Sequence, residues 1–208
     1  MVVYSPAMSN LRPRQLPLFR WNLADGILQP HYEGFQSIVQ GAWVDYLNLP
    51  AKDRAQFSPT ARANCVHSFM VFRARAYFMR IPKAYETTSF GQILFGINGE
   101  ILIRFKKLKK NRMSSNYPTP HAVDFAAQLN LPGIEPAARV TVGYILNKTQ
   151  TEINAILVTY CVGKRIVWTI DIDEPIAQVN IVPYPTRTLT KPRVRAKNVK
   201  KKKKNDEK

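Results

Sequence analysis

Apolar positions along the chain recur at two spacings, and the spacing changes as the chain proceeds. From Glu33 to Leu47, residues Phe35, Ile38, Val39, Ala42, Trp43 and Tyr46 recur at steps of three and four. That places them on one helical face, and Asn48 and Pro50 end the helix. A second helix opens at Ser58, an N-cap residue, with Pro59 in the first position, where no amide donor is needed. It runs through Cys65, Phe69, Phe72, Ala76 and Met79 to Pro82. Apolar residues cover much of its circumference, which predicts a central, buried helix. Arg62, Arg73 and Arg80 fall on nearly one line along it, and a solvent edge is the simplest reading of that line.

The period then drops to two. Phe90 to Ile97 and Glu100 to Phe105 flank Asn98-Gly99, a pair suited to the positive φ values of a type I′ hairpin turn. A two-residue turn sets Ile97 opposite Glu100, Phe95 opposite Leu102 and Ile93 opposite Arg104. Ile101, Ile103 and Phe105 then share the other face with Leu94. Thr119-Pro120 opens a short helix, His121 to Leu129. Strands follow at Val140–Leu146, Ile153–Tyr160 and Lys164–Ile172, with an edge strand within Ile176–Val182. Their short connections predict an antiparallel meander. Pro6, Pro13, Pro17 and Pro30 disfavour a long helix in residues 1–30, so that stretch reads as an extended arm packing Leu16, Leu18, Phe19 and Trp21 on the body.

Strands and helices do not alternate one by one, so a doubly wound parallel sheet is not expected. The pattern predicts a single α+β domain over 1–188. It has two N-terminal helices, a central β-hairpin, one short helix and a C-terminal antiparallel β-meander. Residues 189–208 are expected to form a disordered Lys/Arg-rich tail.

Composition narrows the function classes. The 208 residues are 45% hydrophobic, which excludes wholesale disorder. No apolar run approaches the ~18 residues of a membrane span. Met1 to Leu11 lacks the charged-then-apolar order of a signal peptide, so a cytoplasmic location is expected, or a nuclear one in a eukaryote. Cys65 and Cys161 are too few and too far apart for a cysteine scaffold. His31, His67 and His121 form no ligand pair, so neither a metal nor a cofactor is called for.

The formal net charge is +17, and its placement matters more than its size. The tail carries ten basic residues against Asp206 and Glu207. Arg104, Lys106, Lys107, Lys109, Lys110 and Arg112 form a second cluster with no acid between them. This cluster ends a strand and enters a loop with Asn111, Ser114, Ser115, Asn116 and Tyr117. Cations neutralise phosphates and short polar side chains donate to phosphate oxygens, so the six are the candidate nucleic-acid contacts, to DNA or RNA. Engagement of all six on duplex DNA predicts a log–log salt slope near ~−5. An acidic protein is the other partner such a surface suits.

Catalytic signals are weak beside this. Asp171 and Asp173 alternate on a strand and, with Glu100, are the residues a metal-dependent nuclease or toxin would use. A solvent-facing strand end is the simpler reading of the aspartates, because alternation alone is a weak signal. Glu100 is followed by Ile101-Leu102, not by the x-Lys of a restriction-type site. The leading reading is therefore a non-enzymatic nucleic-acid-binding or regulatory protein.

Ile103-Arg-Phe-Lys-Lys-Leu108, Asn116-Tyr-Pro-Thr119, Gln128-Leu-Asn-Leu-Pro-Gly133 and Val142-Gly-Tyr-Ile-Leu146 together resemble a group of uncharacterised bacterial proteins. Such proteins occur in mobile or regulatory gene neighbourhoods, near helix-turn-helix and metallopeptidase genes. The resemblance spans roughly residues 90–172. It implies a bacterial or prophage accessory factor and carries over no catalytic residue.

Overall fold

The computed structural model describes residues 16, 18–89, 91–114, 119–129, 136–173 and 179–181. The basic stretch 189–208, residues 1–15 of the arm, and Ser115, Asn116 and Tyr117 of the loop lie outside the described residues.

Four helices lead the chain: α1 Trp21–Leu28, α2 Tyr32–Leu47, α3 Ala51–Ala55 and α4 Pro59–Phe78. Seven strands then pair in sequence order in one mixed sheet. They are β1 Ala84–Ser89, β2 Gln92–Ile97, β3 Ile101–Lys107, β4 Ala138–Leu146, β5 Ile153–Val162, β6 Arg165–Asp171 and β7 Val179–Ile181. Helix α5, Pro120–Ala126, lies in the connection between β3 and β4. These two strands pair in parallel, while the other neighbours are antiparallel. The α+β class and the C-terminal meander are thus observed.

The helix starts follow their caps. Ser58 Oγ accepts from the Ala61 amide at 3.1 Å and Thr119 Oγ1 from the Ala122 amide at 3.2 Å, with a proline next in each case. Helices α2 and α4 pack together and cover one sheet face. The core beneath them joins Phe35, Trp43, Met70 and Phe78 to Phe95, Ile103, Phe105, Val142, Tyr144 and Trp168. The opposite face carries a smaller apolar cluster, Leu94, Leu102, Phe125 and Ala137.

Four expectations are corrected. Residues 21–28 are helical, where an extended segment was expected; the prolines flank the helix and leave its interior intact. Strand β1 precedes the hairpin and pairs with β2 from Ala84↔Ile97 to Ser89↔Gln92. Its polar sequence, Ala-Tyr-Glu-Thr-Thr-Ser, suits an exposed edge and gives little hydrophobic signal. The central hairpin is one residue out of the expected register: Ile97 pairs with Ile101 and Phe95 with Ile103. Asn98 and Gly99 do take positive φ (54° and 72°), and the Glu100 amide bonds Ile97 O at 3.0 Å. Glu100 nevertheless stays in the loop. The slip puts Ile101, Ile103 and Phe105 beside Phe95 under the helices and turns Arg104 to the other face, so side-chain matching overrides turn length. Finally, α4 is a surface helix. Val66, Met70, Ala74 and Phe78 face inward, whereas Phe72 and Met79 are 71% and 87% exposed.

Candidate functional site

Parallel pairing of β3 with β4 decides what surrounds the basic cluster. Lys106 pairs with Gly143 and Lys107 with Tyr144, so both strands end at the same side of the sheet. The close approach needs Gly143: a Cβ there would lie 2.4 Å from Lys106 O and 2.6 Å from Leu108 Cγ. Beyond β3 the chain closes a tight turn. Lys109 N donates to Met113 O at 2.9 Å, Arg112 N donates to Lys109 O at 2.8 Å, and Leu108 bridges Ser114. Beyond β4 comes the turn Asn147–Gln150. The first turns of α4 close the third side.

These three walls enclose a cleft of about 470 Å³. Lys106, Lys107, Lys109, Lys110 and Lys148 line it, and Thr60, Asn64, His67, Asn147 and Gln150 supply its neutral polar wall. Among the described residues, its lining contains no acid and no Phe, Tyr or Trp. The positive end of α4's dipole adds to the same field. An adjoining cleft of about 550 Å³ shares Lys110, Asn147 and Lys148, and adds Arg112, Asn154 and Asp171.

Crowding leaves its mark on the lysines. Burial, and then the nearby Arg104, pushes the Lys106 ammonium below its usual range. Burial, then Arg62, does the same to Lys107. Arg62 donates to Gln150 O at 3.0 Å, and Lys107 Nζ to Gln150 Oε1 at 3.3 Å, so two cations brace one turn. An anion in the cleft would relieve this mutual repulsion.

Five of the six cations named from the sequence therefore border one of the two clefts. Arg104 does not. It is only 5% exposed, on the opposite face of the sheet. Its guanidinium lies 3.9 Å from the Phe125 ring centroid. It donates to Thr141 Oγ1 at 3.0 Å, Gln92 Oε1 at 3.3 Å and Ser114 Oγ at 3.1 Å. Burial pushes it down to about 10, which still leaves it charged at neutral pH. Because Ser114 closes the basic turn, Arg104 ties that turn to β2, β4 and α5. The geometry makes it a positioning residue. Arg104→Lys keeps the charge but loses the fork that reaches three acceptors. For a phosphate ligand held by this turn, the change is expected to weaken binding roughly tenfold with an unchanged salt slope, since no phosphate contact is removed. Titrations at several salt concentrations check both halves of this expectation.

Lys148 and Arg62 are additions that the linear cluster did not contain. Lys148 lies 36 residues beyond Arg112 in the chain and arrives only through the parallel β3–β4 pairing. Of the arginine line on α4, Arg62 braces the Gln150 turn and Arg73 pairs with Asp45 at 2.6 Å. Arg80 is exposed.

The carboxylates are more dispersed. Asp171 Oδ1 accepts from the Asp173 amide at 3.1 Å, and Gln40 Nε2 donates to Asp173 Oδ1 at 3.5 Å. Burial, then Asp171, pushes the Asp173 carboxyl up. Glu100 lies in the loop at the start of β3, whereas Lys106 lies near its end. Among the described residues, no three His, Cys, Asp or Glu side chains gather as a metal site. No described helix is long and apolar enough to cross a membrane.

No protein-family model matches the chain, and neither the curated proteins nor the solved structures contain a match to it.

Proposed function

We propose that the chain binds nucleic acid through its phosphates, without catalysing a reaction, at the lysine-lined cleft between α4 and the ends of β3 and β4. The observation that carries the reading is the composition of that wall: five lysines beside a helix N-terminus, with no acid among the described residues that line the cleft. A surface built only for solubility intersperses both signs. Lys106, Lys107, Lys109, Lys110, Arg112 and Lys148 are the contacting set, and Arg104 holds their turn in place.

The test is a salt series against duplex DNA, single-stranded DNA and RNA, with and without magnesium. Binding that falls linearly in log–log form supports the reading. No binding at low salt would sink it and leave an acidic protein as the partner. Magnesium-dependent cleavage that is lost in Asp171→Asn would replace it with the nuclease reading.

His67 gives the reading a pH signature. Burial, then Lys106 on β3, holds its imidazole below the usual histidine range. Its other charged neighbour across the adjacent cavity is Arg75, which is already paired with Glu86 at 2.8 Å. A bound phosphate adds negative charge and raises the His67 pKa, so binding takes up a proton. Affinity is expected to climb as pH falls toward the lowered His67 pKa, and His67→Gln is expected to flatten the climb. The unliganded fold loses stability over the same window, because the depressed His67 is harder to protonate folded than unfolded. Anisotropy titrations at fixed salt across that pH range measure the effect.

A further inference from the structure

The far half of α4 carries a surface that the cleft does not use. Phe72, Ala76 and Met79 stand at i, i+4 and i+7 on the exposed side of the helix. This is the spacing of anchor positions on a helix face. Phe72 begins roughly 20 Å along the helix from Pro59, at 1.5 Å per residue, so the stripe is separate from the lysine cleft.

Beside the stripe, α2 and α4 leave a groove of about 350 Å³. Its wall combines Ile38, Phe72, Ala76 and Tyr77 with Arg73 and Arg80. The helices approach closely because Gly34 lies under the Tyr77 ring, where a Cβ would be 2.2 Å from Cζ. Tyr77 is fixed in turn by a 3.0 Å contact between its hydroxyl and His31 Nδ1. The groove is thus a formed feature with an apolar floor and basic edges. No acid lines it. Arg73 is satisfied by Asp45 through two bonds of 2.6 and 2.7 Å, but the Arg80 side chain makes no hydrogen bond or ion pair among the described residues.

We infer that this groove is a docking site for a protein segment that pairs an apolar anchor with a carboxylate. The anchor covers Phe72 and Met79, and the carboxylate meets Arg80. Charge complementarity selects this occupant over a second copy of the chain, since self-pairing about the stripe would bring like-charged edges together. The site is independent of the phosphate reading, so one can fail without the other.

The test is a selection from randomised displayed peptides on the full chain. Synthetic versions of the enriched sequences are then titrated by anisotropy, alongside counterparts with Lys in place of each acid. The expected result is enrichment of sequences that join Leu or an aromatic to Asp or Glu. Affinity should fall about tenfold or more in Phe72→Ser and in Arg80→Glu, as for hot-spot side chains. Both positions are exposed, so the fold is retained, which circular dichroism verifies. The Lys109→Gln/Lys110→Gln/Lys148→Gln chain should bind the peptides unchanged. Enrichment of no such sequences, equal binding by Phe72→Ser, or loss of binding in the lysine variant overturns the inference. Self-association in sedimentation that Phe72→Ser abolishes overturns it in favour of a second copy.

Discussion

Replacing Lys109, Lys110 and Lys148 together by Gln is expected to weaken duplex DNA binding about 500-fold at about 0.1 M salt. Each phosphate contact contributes about 0.9 to the slope of log K against log salt on duplex DNA, so three contacts contribute about 2.7. The same variant should therefore flatten the salt dependence by about that amount. On single strands each contact counts about 0.7, and the expected change is about 2.1. All three side chains are exposed, and none of them has a bond that holds the fold together. Thermal unfolding should be unaffected, which separates lost contact from lost structure. A fall in affinity without a change in slope would show that these lysines do not touch phosphate.

The slope of the unaltered chain does not by itself identify the contacts. The linear cluster suggested six cations, and the folded surface also has six. The membership differs: Arg104 is withdrawn into the sheet and Lys148 takes its place. Only single and combined variants distinguish the two sets. Arg104→Lys and the triple Gln variant make opposite claims about slope, so the pair decides between positioning and contact.

The sequence showed the elements more clearly than their neighbours. Helices α2 and α4 were legible because their apolar residues keep a helical period and their ends carry proline and a capping serine. The strands of the meander were legible from alternation and short turns. The hairpin register was not. Asn98-Gly99 argues for a two-residue turn, but that register would place Glu100 and Arg104 on the face of Phe95 and Ile97. Local turn preference is smaller than the cost of burying two charges under α4. The site was legible in part for a related reason. A run of cations on one strand end is local information. The facing wall from Asn147 to Gln150 depends on β4 lying parallel to β3, a pairing made across a 30-residue connection. Burial of Arg104 follows from that pairing too, because Thr141, its nearest acceptor, is its direct partner on β4.

Phe35→Ala is expected to destabilise the fold strongly, at about 3–5 kcal/mol. Phe35 is fully buried on α2. Its ring lies within 6.1–6.4 Å of the rings of His31, Tyr77, Phe78 and Phe105, so it touches both helices of the layer and the sheet. Truncation removes the transfer energy of the ring and leaves a cavity that rigid neighbours on three elements cannot fill. Phe35→Leu keeps most of the volume and should cost under about 1.5 kcal/mol, with the difference reporting shape rather than hydrophobicity. Domains of this size have about 5–15 kcal/mol in total, so the alanine variant sits near the limit of folding. The consequence reaches the cleft through Phe105, whose chain neighbours are Arg104 and Lys106. Loosening α4 from β3 separates the wall formed by Thr60, Asn64 and His67 from the wall formed by the lysines. Nucleic-acid binding by Phe35→Ala should therefore follow its own denaturation curve: near normal where circular dichroism reports a folded chain, and lost where it does not. A chain that remains fully folded yet no longer binds would mean that Phe35 acts on the cleft by a route other than packing.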